Sequence, residues 1–133
     1  MIEGVMKMKR STAREKAMQI LFQLEMNDID PAQAIENHLE TKQGDAFLTM
    51  LVLGVEEKKI EIDNIIIEHL ENWTMDRIAS VERTILRIAT YEINFVDDIP
   101  ESVSINEAVE LAKKYADEQS GKFVNGVLSK VIS

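Results

Sequence analysis

The chain has 133 residues, 24 acidic side chains against 15 basic ones, a net charge of −9 and no cysteine. That length can bury a core without staples, and the missing cysteine excludes a disulfide framework, thiolate-bound zinc, iron–sulfur clusters and thiol catalysis, in keeping with a reducing, cytoplasmic setting. The acidic balance speaks against nucleic-acid binding over the whole surface, no apolar run reaches the roughly 18 residues of a membrane-spanning helix, and residues 1–8 lack the pattern of a secretory signal.

Five glycines and two prolines are too few for a turn-rich β protein. Apolar residues recur every three to four positions, so the expected fold is all-α, a compact bundle of about seven helices. The first helix runs from near Arg10 to Met26, with Ser11 or Thr12 as its cap and Glu15 completing a capping box. Ala13, Ala17, Ile20, Leu21 and Leu24 form its core face. Residues 7–16 carry Lys7, Lys9, Arg10, Arg14 and Lys16 against Glu15 alone, +5 − 1 = +4 within an acidic chain. Helical spacing puts Lys7, Arg10 and Arg14 on one side. The patch is either a solvated face or an anion-binding end, and Phe22 is either a packing residue or a stacking platform beside it.

Asp30-Pro31 pairs an N-cap with a first-turn proline and opens a second helix to about Thr41, using Ala34, Ile35, His38 and Leu39. Gly44 breaks it, and Asp45 caps a third helix through Phe47, Leu48, Leu51, Val52 and Val55, where Gly54 suggests close helix contact. A fourth helix spans Lys58 to Asn72 with a broad isoleucine face, and Trp73 is a packing anchor at its corner. The run Met75–Phe95 is the strongest helical signal, apolar around most of its circumference except for a stripe of Arg83, Arg87, Thr90 and Asn94. Such a helix is the pillar of a bundle, and Ser80 can cap it. Glu92, on an apolar face, needs a hydrogen-bonding neighbour. For Glu82 a structural role and a functional one, as a partner-binding or catalytic carboxylate, stand open. Ser104-Ile105-Asn106-Glu107 reads as a capping box opening a sixth helix. The last helix, Gly121–Val131, contains Asn125 and Gly126, which suggest close backbone approach or a working side-chain amide.

Catalytic patterns are missing. His38 and His69 lie on different helices and outside any paired-histidine zinc motif, and no phosphate-binding glycine loop or nucleophile elbow occurs. The expectation is a binding module rather than an enzyme, with no metal and no cofactor. A basic end on an acidic body suits a limited RNA or DNA contact shared with a second protein, with Phe22, Phe123 and Asn125 available for base stacking or edge reading.

Four blocks then carry a resemblance: RSTAREKAMQILFQLE (10–25), FLTMLVLGV (47–55), DRIASVERTILRIATYEI (76–93) and IPESVSINEAVELAKKYADEQSGKFVNGVLSKV (99–131). In this order they resemble the bacterial NusB transcription antitermination factors, over nearly the whole chain after Met8. The resemblance implies a NusB-like fold of two small subdomains, about residues 9–57 and 58–133. It implies pairing with NusE, a small ribosomal subunit protein, to bind boxA RNA alongside other Nus factors and RNA polymerase and suppress termination, notably in ribosomal RNA operons. It assigns RNA contacts to Lys9, Arg10 and Arg14, with Lys7 as an extra, and to Lys122, Phe123 and Asn125. It places Glu82 and Gln119 toward the NusE surface. Two departures stand out: Lys9-Arg10-Ser11 replaces the consecutive arginines common in the family, and Ser102 stands where many members carry lysine. Competing readings are a homodimeric helical scaffold and a detached NusB-like domain of a ribosomal RNA methyltransferase system.

Overall fold

The structure, a computed structural model, describes residues 8–38 and 45–133. Lys7, Leu39, Thr41 and Gly44 lie outside the described residues. Seven α-helices and one 3₁₀ turn are present among them, without a strand, and they divide into two units, Met1–Glu57 and Lys58–Ser133. No helix of the described residues is long and apolar enough to cross a membrane.

The first unit holds α1 (Arg10–Met26), α2 (Pro31–His38) and α3 (Ala46–Glu57). Ala13, Ala17, Ile20 and Leu21 are buried as their spacing predicts, joined by Met18 and Arg14, while Leu24 is only half-buried. The start of α1 differs from the expected capping box. Lys9 is the N-cap, with extended backbone and no side-chain cap, and its carbonyl accepts from Ala13 N–H at 2.8 Å. Ser11 and Thr12 therefore sit inside the first turn, exposed. The other two caps of this unit match the sequence. Gln33 N–H donates to Asp30 Oδ2 at 3.2 Å, and Leu48 N–H donates to Asp45 Oδ1 at 2.9 Å. Asp45 Oδ2 also accepts from Met8 N–H at 3.1 Å. One carboxylate thus caps α3 and fixes the chain entering α1.

The second unit holds α4 (Lys59–Glu68), the 3₁₀ turn Met75–Arg77, α5 (Ser80–Phe95), α6 (Glu101–Tyr115) and α7 (Glu118–Val131). α5 packs against α4, α6 and α7, with every residue from Thr84 to Thr90 buried. It is the pillar of its unit. Its polar stripe is only partly withdrawn from water: Arg87 and Thr90 are buried, Arg83 is half-buried and Asn94 is exposed. Arg87 is buried and donates from Nε and Nη2 to the two oxygens of Asp63 on α4, at 2.8 and 3.0 Å. Glu92 is buried as well, and Ser104 Oγ donates to its Oε1 at 2.8 Å.

Several boundaries move for identifiable reasons. Ile78 and Ala79 are extended, so the run from Met75 breaks and Ser80 becomes the first residue of α5 rather than its cap. α6 begins at Glu101 behind Pro100, whose fixed φ suits a helix start. Ser104 lies one turn in and serves Glu92 instead of capping. α7 begins three residues early because the Asp117 side chain accepts from Ser120 N–H at 2.8 Å. The close approach in α7 occurs at Gly121, where a Cβ would meet Lys113 Cγ of α6 at 2.9 Å; a Cβ at Gly126 would meet nothing within 4 Å. α4 ends at Glu68, and the chain turns at Asn72, whose φ of 64° suits asparagine. Ile60 and Ile67, expected on a buried face, are 79% and 51% exposed.

Candidate nucleic-acid interface

In the first unit the site grows from the α1 start. Lys9 and Arg10 are exposed. The Arg10 guanidinium lies 4.5 Å from the centroid of the Phe47 ring on α3, and that of Arg14 lies 5.2 Å from it. A ring face carries negative charge density, so it attracts and orients both cations. The two arginines differ in consequence. Arg14 is 3% exposed, which leaves it little surface to offer a phosphate and makes it a support for the ring. Arg10 is exposed on that support. Phe22 is half-buried; the aromatic beside the basic patch is Phe47, which the sequence pattern assigned only to packing.

In the second unit a groove of about 620 Å³ opens between the 3₁₀ segment and the start of α7. Its apolar floor comes from Trp73, Ile78, Ala79 and Phe123. Its polar lining includes Glu82, Gln119 and Lys122, together with Arg77, Asp117 and Ser120. The structure therefore lines one groove with Lys122 and Phe123, expected at RNA, and with Glu82 and Gln119, expected at a protein partner. Asn125 is exposed on α7, one turn beyond Lys122, and does not line the groove. Trp73, expected as a buried anchor, is 51% exposed and meets Phe123 edge-to-face, with centroids 6.0 Å apart and planes at 61°.

Local bonds hold this groove open. Arg83 Nη1 donates to Met75 O at 3.1 Å and Ile78 O at 2.9 Å, and Nη2 donates to Ser80 Oγ at 3.2 Å. The guanidinium thereby ties the extended segment to α5. Thr74 Oγ1 donates to Asp76 Oδ1, and that bond, followed by a backbone N–H, lowers the Asp76 pKa from its ordinary value. Lys130 Nζ pairs with Glu71 at 2.9 Å and anchors the turn before Trp73 to the end of α7. The sole tryptophan standing in a polar Asn-Trp-Thr corner was the available sequence signal for this site. Nothing local marked Arg77 or Phe47.

Fold and surface together define an all-helical binding module that sets cations beside aromatic rings. Among the described residues, no cluster of three or more histidines and carboxylates is disposed to hold a metal ion. The NusB family model matches residues 11–133, and the chain belongs to the NusB family. The transcription antitermination protein NusB of Oceanobacillus iheyensis is 59% identical over 126 residues, covering 95% of this chain and 100% of that protein. The protein of the same name from Bacillus subtilis is 52% identical over 126 residues, 95% of this chain and 96% of the relative. Among solved structures, T. maritima NusB matches with a TM-score of 0.85 at 40% identity, covering 95% of this chain and 92% of that one. A crystal structure of antitermination factors NusB and NusE in complex with dsRNA matches with a TM-score of 0.82 at 35% identity, covering 92% and 94%.

Proposed function

We propose that this chain is a non-catalytic RNA-binding antitermination factor of the cytoplasm. It pairs with a NusE protein, binds boxA RNA, and acts with other Nus factors and RNA polymerase to suppress termination, notably in ribosomal RNA operons. The observation that carries the reading is the Arg10–Phe47 arrangement beside Lys9, a pre-oriented cation cluster on an otherwise acidic chain. Near-full-length relatives named as transcription antitermination proteins support it. Lys9 and Arg10 are the phosphate contacts of the first unit, and Arg14 holds the ring beneath them. In the second unit Lys122 and Phe123 meet RNA, while Glu82 and Gln119 face NusE. Asn125 contributes an exposed amide one turn farther along α7.

The test is a titration of labelled boxA RNA at two salt concentrations, with NusE present, using the Lys9→Ala/Arg10→Ala variant. RNA binding releases condensed counterions, with a slope near −0.7 per phosphate contact on a single strand. The variant should bind more weakly, with a slope shallower by roughly 1.4 for two lost contacts, and should still form the NusE complex. An unchanged affinity and slope would remove the first-unit patch from the RNA site. Arg14 is unsuitable for this test, since its burial makes truncation a folding perturbation.

A further inference from the structure

The groove of the second unit contains a feature that phosphate contacts do not use. Trp73 and Phe123 stand edge-to-face at 61°, and Trp73 keeps half its surface open. Two rings so disposed form a corner. A flat, aromatic group entering it can lie on one ring and abut the other, the geometry in which offset and edge-on aromatic contacts are favourable. The volume of about 620 Å³ lies within the range of small-ligand clefts and has room for a nucleotide.

We propose that Trp73 and Phe123 form a stacking corner for one unpaired RNA base, with Arg77 and Lys122 meeting the flanking phosphates. The assignment rests on the RNA-binding reading above and adds Trp73 and Arg77 to it. Two observations favour a nucleotide over an apolar peptide anchor. The apolar floor comes from four residues, two of them aromatic rings, and six polar or charged residues flank it, whereas a docked amphipathic helix needs a continuous apolar strip. The lining also offers the exposed cations Arg77 and Lys122 for phosphate and the Ser120 hydroxyl for the hydrogen-bonding edge of a base, with Glu82 and Gln119 left to face NusE. Two carboxylates in the groove repel phosphate, so the backbone of the RNA belongs at the two cations and the base at the corner. Arg83 acts as a positioning residue, since its bonds to Met75 O and Ile78 O shape the segment next to Trp73.

Trp73 is the one tryptophan of the chain, so its emission reports on this corner directly. The experiment titrates the full chain, with NusE bound, against boxA RNA and follows tryptophan emission and the anisotropy of labelled RNA in parallel. Stacking should quench Trp73 with the midpoint seen by anisotropy. Trp73→Leu should weaken RNA binding roughly 5- to 150-fold, as expected for loss of one base–aromatic stack, while Trp73→Phe stays near wild type. Both variants should keep native far-UV circular dichroism and NusE binding. RNA binding by anisotropy with unchanged emission and an unaffected Trp73→Leu variant would overturn the stacking corner and leave the RNA-binding reading standing. A change in Trp73 emission with NusE alone, and none with RNA, would give the groove to the protein partner and overturn the proposal. No RNA binding by anisotropy would overturn both.

Discussion

Replacing Phe47 by leucine keeps an apolar side chain in α3 and removes the ring face that two guanidinium groups share. Arg14 is 3% exposed and sits 5.2 Å from the ring centroid, so its attraction acts in a desolvated setting, about 2 kcal/mol. Arg10 is exposed and 4.5 Å away, for about 0.5–1 kcal/mol. Phe47→Leu should therefore destabilise the first unit by about 2–3 kcal/mol in urea unfolding. A double-mutant cycle with Arg14→Met should return a coupling of about 1–2 kcal/mol, which separates the ring–cation term from lost packing. RNA binding should fall too. A released Arg10 must be re-ordered on each binding event, at about 0.5–1.5 kcal/mol, roughly 2- to 12-fold in affinity. A coupling near zero, or RNA affinity unchanged in a folded Phe47→Leu variant, would refute the claim that the ring orients the basic patch.

Other outcomes follow from single contacts. Asp63→Ala leaves Arg87 buried without its carboxylate and should cost about 3 kcal/mol in urea unfolding, near the lower end for a broken buried pair because Asp63 is 22% exposed. Gly126→Ala, with open space around it, should stabilise α7 by about 1 kcal/mol. Gly121→Ala should forfeit that gain, since its Cβ falls 2.9 Å from Lys113 Cγ; equal effects at the two glycines would discard the close-approach explanation. His38, whose Nε2–H donates to Gln19 Oε1 at 2.9 Å, has its pKa held below 6.5 by burial and then by the Lys16 charge. Below pH 6.5 the unfolded chain takes up a proton that the folded chain resists, so stability declines as pH falls through that range. His38→Gln should flatten the decline in thermal midpoints measured between pH 7 and 5.

The helical architecture was legible because apolar residues recur at three- to four-residue spacing along much of the chain, most clearly in α5 and α7, and because Asp30 and Asp45 cap where short polar side chains before apolar runs should cap. Other features depended on tertiary partners. Ser104 has the sequence of a cap, yet a buried Glu92 twelve residues earlier claims its hydroxyl. Arg87 and Thr90 read as part of a polar stripe with no stated partner, yet Asp63, on a different helix, draws Arg87 inward. The site divides in the same way. Lys9 and Arg10 were visible as a local excess of charge. Phe47 was not, because an aromatic in an apolar face looks like any core residue until the arginines are placed over it. Trp73 was misread as an anchor because burial is the common fate of tryptophan. It stands instead in the groove lining beside Ile78, whose carbonyl accepts from Arg83.

The central claim, RNA binding completed by a second protein, is tested most directly by the affinity for boxA RNA measured with and without NusE at one salt concentration near physiological. The chain alone, with a few phosphate contacts on an acidic body, should bind weakly, and NusE should tighten binding by at least about tenfold, or 1.4 kcal/mol. An affinity that NusE leaves unchanged would contradict the account.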